Sequence, residues 1–117
     1  MLIDVGGVGQ SVAAIVKATG DNGKWIEKMV LADYNIERTE EVEAIIGDTR
    51  FVAERINTTD AESIKAVAQK HDIDFILNAV EPAFNENIFD TAFDLRVGYM
   101  DYAMTFSHRH QEKSYEK

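Results

Sequence analysis

Cysteine is absent from the 117 residues, which excludes disulfides and thiolate metal sites. Its absence suits a cytosolic protein, and the cytoplasm is the expected location. Proline occurs once, at Pro82, and no proline-, glycine- or serine-rich stretch marks a linker. There is no internal repeat and no low-complexity segment. No run of about 18 apolar residues is present, so no membrane span is expected. No basic segment and apolar core of a secretory signal precede the first apolar run. Basic residues are scarce, 12 against 21 acidic ones, for a net charge of −9. That balance argues against nucleic acid, whose binding leans on Lys and Arg neutralising phosphates. What remains is 45% hydrophobic, enough for one folded domain with a core.

Apolar runs alternate with helical patterns along the chain. Leu2 to Val5 reads as a buried strand. Gly9 to Thr19 reads as a helix with Val12, Ala13, Ile15 and Val16 on its apolar face. The stretch GDNG at 20–23 ends it. Met29 to Ala32 is a second strand, apolar throughout as a strand covered on both faces should be. Thr39 is placed as the cap of a short helix that ends at Gly47. Phe51 to Ile56 is a third strand. Thr59 and Glu62 have the spacing of a capping box before a helix carrying Ile64, Val67, Ala68 and His71. Phe75 to Val80 is a fourth strand. Phe84, Ile88, Ala92 and Leu95 line another helix, closed by Gly98. Tyr99 to Ala103 is a fifth strand, and the chain turns polar after Phe106. Strands separated by helical crossovers run parallel, and the crossovers are right-handed. The expected fold is therefore α/β, a doubly wound parallel sheet of five strands in order 3-2-1-4-5. Such sheets bind ligands at the carboxyl ends of strands 1 and 4, where Gly6 to Gly9 and Asn78 to Pro82 both fall.

The opening stretch MLIDVGGVGQ carries the chemistry. A dinucleotide fingerprint, G-x-G-x-x-G, needs glycines at offsets 0, 2 and 5. Gly6 and Gly9 fill the second and third places, and Asp4 stands in the first. Gly6 keeps a side chain away from an approaching phosphate, and the helix near Gly9 offers unpaired N–H groups and the positive end of its dipole. The plain alternative is that these glycines only make a tight strand-to-helix turn. Asp4 admits another reading, because D-x-G-x-G opens the first motif of S-adenosylmethionine-dependent methyltransferases. There Val8 replaces a glycine, so each motif has one defect. A carboxylate beside a pyrophosphate is costly, about 4 kcal/mol for two unit charges about 4 Å apart at an effective dielectric of about 20, before solvent and side-chain escape are discounted. A cationic sulfonium ligand would not suffer it. Asp33, 24 residues after Gly9, ends the second strand and can accept hydrogen bonds from ribose hydroxyls in either ligand class. It repels a 2′-phosphate, so among dinucleotides it favours NAD, while NADP is admitted if Arg38 folds back to offset it.

The downstream segment DFILNAVEPAFNENIFDTAFDLRVGYMDYAM resembles the nucleotide-binding domain of the saccharopine dehydrogenase family. The resemblance lies in a strand ending in Asn78 and Ala79, then Pro82 and Asn85, a helix with Ala92 and Phe93, and a strand with Tyr99 and Asp101. GGVGQSVA resembles the family's opening loop, and NTTDAESI its third strand-to-helix junction. The likeness covers nearly all of residues 2–104, and methyltransferases do not share the segment after Asn78. It implies a Rossmann-like NAD(P)-binding domain over residues 1–106, followed by a polar tail at 107–117. It also implies an oxidoreductase acting on C–N bonds of amino acids or polyamines. By position, Gly6, Gly7, Val8 and Gly9 would hold the pyrophosphate and Asp33 the adenosine ribose. Asp60 would lie near the adenine, and Asn78 and Ala79 near the nicotinamide ribose. The family's substrate domain has no counterpart in these residues, so the substrate would be reached only through a second domain and no catalytic residue is assigned. The chain by itself is expected to be inactive, as a fragment or as a stand-alone nucleotide-binding or interaction module. A homo-oligomer is left open.

The remaining candidates are weaker. His108 and His110 lack a third ligand, so no metal is expected. His71 at a helix end suits the dipole and reads as structural. Trp25 is expected to cover the sheet edge. Asp101 is equally a ligand contact or a turn cap.

Overall fold

The computed structural model describes residues 1–102. Five parallel strands form one sheet in the order β3-β2-β1-β4-β5. They are β1 (Leu2–Ile3), β2 (Met29–Asp33), β3 (Phe51–Arg55), β4 (Phe75–Asn78) and β5 (Gly98–Asp101). Four helices connect them: α1 (Gly7–Ala18), α2 (Ile36–Ile46), α3 (Ala61–Lys70) and α4 (Asn85–Leu95). Fold and strand order match the expectation from the sequence. Ala103, the polar tail, His108 and His110 lie outside the described residues.

Alternating side chains divide the core in two. Leu2, Met29, Leu31 and Phe51 pack with Val5, Ala13, Val42 and Ile46 under α1 and α2. Ile3, Val30, Ala32 and Ile76 pack with Ile64, Val67, Ile88 and Ala92 under α3 and α4. The central strands are covered on both faces, which is why they read as unbroken apolar runs. On β4 and β5, Phe75, Met100 and the adjoining Tyr102 remain exposed.

The element ends differ from the sequence reading for identifiable reasons. Strand β1 stops at Ile3 because Asp4 adopts a left-handed conformation, φ 74°. Helix α2 starts earlier than expected because Asn35 is the cap, its side chain accepting from Arg38 N at 3.1 Å. Thr39 sits one turn inside, buried, donating its hydroxyl to Asn35 O. Helix α3 is capped by Asp60, which accepts from Glu62 N at 3.0 Å, while Thr59 bonds back to Asn57. Helix α4 closes at Arg96 in a left-handed cap, and Gly98 instead opens β5. A Cβ on Gly98 would meet the Phe75 ring at 2.4 Å. Trp25 does not cover the sheet edge: it is 80% exposed. His71 does cap α3, and its Nε2 lies 2.7 Å from Glu54 Oε1.

Candidate dinucleotide site

Sheet order alone places the turn after β1 beside the turn after β4, and the register pairs Ile3 with both Ala32 and Asn78. Of the residues expected to act, Gly6 to Gly9, Asp33, Asn78 and Ala79 therefore share the central carboxyl edge. Asp60 lies at the start of α3, beyond β3 on the flank of that edge.

The β1–α1 turn is built on close contact. A Cβ on Gly9 would fall 1.8 Å from the Asp4 carbonyl oxygen, so α1 can approach β1 only because residue 9 is glycine. At Gly7 a Cβ would meet nothing within 4 Å, so the main chain there faces open space. Gly6 precedes α1, and the first helical hydrogen bond runs from Gln10 N to Gly6 O at 2.8 Å. The N–H groups of Gly7, Val8 and Gly9 are left outside the helical ladder, on the positive end of the dipole. This is a cradle for an anion of the kind a pyrophosphate requires. It fits with one amendment.

The amendment is Asp4. Its left-handed backbone is one that glycine adopts freely and aspartate tolerates through a local side-chain bond. That bond runs from Gly6 N to Asp4 Oδ1 at 2.6 Å, so one donor of the turn is already satisfied by the chain's own carboxylate. Asp33 is the neighbour. Its Oδ2 accepts from Val5 N at 2.8 Å and its Oδ1 from Asn35 N at 3.1 Å, tying the turn after β1 to the turn after β2. Burial pushes the Asp4 carboxyl above its ordinary value, opposed by the Gly6 N–H bond. The charge of Asp33 and a hydrogen bond between the two carboxyls add to the rise, and the Arg38 charge works against it. Two carboxyls and a set of main-chain donors thus share one turn.

Across the edge, Asn78 is buried and its side chain is engaged at both ends. Nδ2 donates to Asn85 Oδ1 at 2.8 Å and to the Tyr99 hydroxyl at 3.0 Å, and Oδ1 accepts from Val80 N at 2.9 Å. The Tyr99 hydroxyl in turn donates to Asp101 Oδ2 at 2.9 Å. Burial pushes the Tyr99 phenol up to about 12, with Asn78 opposing and the Asp101 carboxylate adding to the rise. The Tyr99 ring meets Phe89 edge-on, centroids 5.3 Å apart. Ala79 N donates to Ile3 O, which holds the turn after β4 against β1. Asp101 therefore already has a partner on one of its oxygens. It is the far end of a network that fixes the β4 turn.

The residues singled out in the sequence by resemblance, Asn78, Asn85, Tyr99 and Asp101, converge on this one network. The profile of the saccharopine dehydrogenase NADP binding domain matches residues 1–117. The chain belongs to that family. Its fold matches apo histidine-tagged saccharopine dehydrogenase (L-Glu forming) from Saccharomyces cerevisiae with a TM-score of 0.72 at 17% identity. The match covers 89% of this chain and 21% of that one, so the chain spans about a fifth of the length of the matched structure. No curated protein sequence matches it. The family assignment supports a nicotinamide dinucleotide as the cofactor and does not favour the methyltransferase reading or the non-catalytic nucleotide-binding or interaction module. It lends no support to NAD over NADP. Among the described residues no cluster of three potential metal ligands occurs, and no helix is long and apolar enough to cross a membrane.

Sequence reasoning overlooked two residues at this edge, Tyr34 and Arg55. The Arg55 guanidinium carbon lies 4.9 Å from the Tyr34 ring centroid. The available signal was positional, since Arg55 ends the third strand as Asp33 ends the second.

Proposed function

We propose that the carboxyl edge between β1 and β4 seats a nicotinamide dinucleotide for an oxidoreductase acting on C–N bonds of amino acids or polyamines. The pyrophosphate lies over the main chain of Gly6, Gly7, Val8 and Gly9. Asp33 accepts from the adenosine ribose, Asp60 flanks the adenine, and Asn78 and Ala79 border the nicotinamide ribose. The observation that carries this reading is the glycine turn itself. Gly9 lets α1 close onto Asp4 O, and the helical ladder starts only with Gln10 N, so the N–H groups of Gly7 and Val8 lie ahead of it. When bound, the nicotinamide supplies hydride transfer. The residues of this chain bind and orient: the turn aligns the diphosphate with the dipole of α1, and the Asn78 network keeps the β4 turn in place beneath the nicotinamide half.

Asp4 makes the seat a weak one. A pyrophosphate gains three main-chain donors where the glycine form of the turn offers four, and it meets a carboxylate at its border. The substrate and the groups that act on it are proposed to come from outside these 117 residues, in keeping with the fraction of the matched structure that they span. Titration calorimetry of the chain with NADH, NADPH and S-adenosylmethionine tests the reading. Micromolar to millimolar binding of a dinucleotide, with no turnover of saccharopine, lysine or polyamine adducts, is expected. Tighter binding of S-adenosylmethionine would overturn it.

A further inference from the structure

The sheet has two outer strands, β3 and β5, and only β3 is built as an edge. An outer strand presents a row of unpaired main-chain N–H and C=O groups, which folded proteins blunt with charge. β3 ends in Glu54 and Arg55, and Lys70 and His71 at the end of α3 hold Glu54. β5 runs Gly98, Tyr99, Met100, Asp101, and its one charged residue accepts from the Tyr99 hydroxyl. Among the described residues no strand pairs with its outer side. Apolar side chains stand exposed on both faces beside that edge. On one face the Phe75 ring fills the space over Gly98, and Met100 and Tyr102 follow along the chain. On the other face Phe89 of α4 meets Tyr99, and Phe93, one turn further on, is 74% exposed. Asp94 of the same helix reaches Lys65 of α3, so Phe89 and Phe93 lie on the flank turned away from α3.

That flank is ordered in a way that suits a copy of itself. Glu86, Phe89, Phe93 and Arg96 follow one another at helical spacings of three and four, on one stripe. Read in the opposite direction, the stripe has the same spacing with the charges exchanged. Two such helices, side by side and antiparallel, set Phe89 against Phe93 of the partner subunit and Glu86 against Arg96 of the partner subunit. The area is also of the right order. At about 150–250 Å² per ring, the exposed parts of Phe75, Phe89, Phe93 and Tyr102 come to roughly 300–550 Å². A stable interface takes about 800 Å² from each partner, so these rings alone supply about half of it.

We propose that β5 is a dimer interface, which takes β5 of a second copy antiparallel to itself so that the two five-strand sheets run on as one. The two-fold axis stands perpendicular to the sheet. It keeps the two α4 helices together on one face and brings Met100 and Tyr102 to their counterparts on the other. The main-chain groups of the two edges then satisfy each other. The two carboxyl edges point in opposite directions, so both dinucleotide seats stay open. Each copy carries a charge of −9, so repulsion weakens the dimer and salt that screens it strengthens the dimer.

Sedimentation velocity of the full chain over a concentration series, at low and high salt, is the test, with thermal melts to confirm that variants fold. A monomer–dimer equilibrium that shifts toward dimer at high salt is expected. Phe93→Asp should weaken it by about tenfold or more and leave the melt of the dilute monomer unchanged. Glu86→Arg and Arg96→Glu should each weaken it several-fold. The chain carrying both should recover most of that loss, because the reversed charges meet again across the axis, and a purely local role for either residue gives no such recovery. A chain that stays monomeric at every concentration and salt would overturn the proposal. So would a dimer that Phe93→Asp leaves untouched, since it would rest on another surface. A monomer whose melt Phe93→Asp lowers equally at every concentration would assign this flank to a segment of the same chain, and that also overturns it.

Discussion

The two turns that meet at the carboxyl edge are built by opposite means. After β1 the main chain sets the geometry, with a glycine that allows close approach and N–H groups that precede the helical ladder. After β4 side chains set it, through a chain of bonds from Asn85 to Asn78, Tyr99 and Asp101. The first turn has donors to offer a ligand and two carboxyls that compete for them. The second has its polar atoms already satisfied. Among the described residues no buried side-chain nitrogen or oxygen lacks a partner. A seat for an anion needs unsatisfied main chain on one side and a rigid wall on the other, and the two turns divide those requirements. Substitutions that exchange the two characters test the division.

The largest effect is expected at Gly9. An alanine methyl there would lie 1.8 Å from Asp4 O, so α1 must move off β1. Overpacking of this kind costs about 3 kcal/mol or more. For a domain of this size that lowers the melting temperature by roughly 12 °C or more. Gly7→Ala is the matched control, since the added methyl meets nothing within 4 Å, and its melt should stay within about 2 °C of the parent. If both variants melt alike, the close approach of helix and strand is not what glycine secures here.

Asn78→Leu should come next. It removes one side chain and takes one bond each from Val80 N, the Asn85 side-chain oxygen and the Tyr99 hydroxyl. A buried polar group left unmet costs about 1–3 kcal/mol, and Tyr99 keeps its bond to Asp101, so a total of roughly 3 kcal/mol is expected. Spectrophotometric titration supplies a second readout. The Asn78 bond opposes the rise of the Tyr99 phenol, so the tyrosine, held at about 12 in the parent, should ionise at still higher pH in the variant. An unchanged melt would mean that the β4 turn is held by the packing of Phe89 and Ile88 rather than by the network.

The difference between the turns also explains what could be read from the sequence. Strand order, helix count and the placement of Gly6 to Gly9 followed from apolar periodicity, because β2 and α3 bury faces whose spacing is local. The caps were misplaced by a few residues where two candidates stood close together. Asn35 and Asp60 accept from the first turn of their helices, and Thr39 and Thr59 lie at neighbouring positions with weaker claims. The Asn78 network was legible only as separate letters. Its members are spread from Asn78 to Asp101, and nothing local says that Tyr99 on β5 reaches back to β4. Asp4 was legible as a missing glycine. Its bond to Gly6 N and its contact with Asp33 depend on a backbone angle that sequence does not display.

Asp4→Gly should tighten dinucleotide binding by roughly tenfold to a hundredfold, or about 1–3 kcal/mol after discounting the Coulomb repulsion for solvent. Glycine takes up φ 74° without strain, frees Gly6 N as a donor and removes a negative charge from the border of the seat. Titration calorimetry with NAD at low and high salt separates the causes. Screening narrows an electrostatic gain and leaves a gain from the freed donor unchanged. Equal affinities for both proteins would make Asp4 a bystander at the end of β1.

The smallest effect is the pH dependence of that same binding, and its sign is determined by Asp4. Its carboxyl is raised by burial and by Asp33, so it takes up a proton at a higher pH than an ordinary aspartate. A pyrophosphate at the turn raises it further, because the anion favours the neutral acid. Binding therefore draws in a proton, and affinity must rise as pH falls. NAD is the proper probe, since its diphosphate does not titrate in this range, whereas a 2′-phosphate would. As pH falls through the range where this raised carboxyl takes up its proton, NAD affinity should increase several-fold. Asp4→Asn keeps the shape and cannot ionise. Its affinity should stay flat over the same range. A calorimetric series in buffers of different ionisation enthalpy counts the protons directly. Uptake in the parent and little in Asp4→Asn is the expected result, and equal uptake in both would exclude Asp4 as the titrating group.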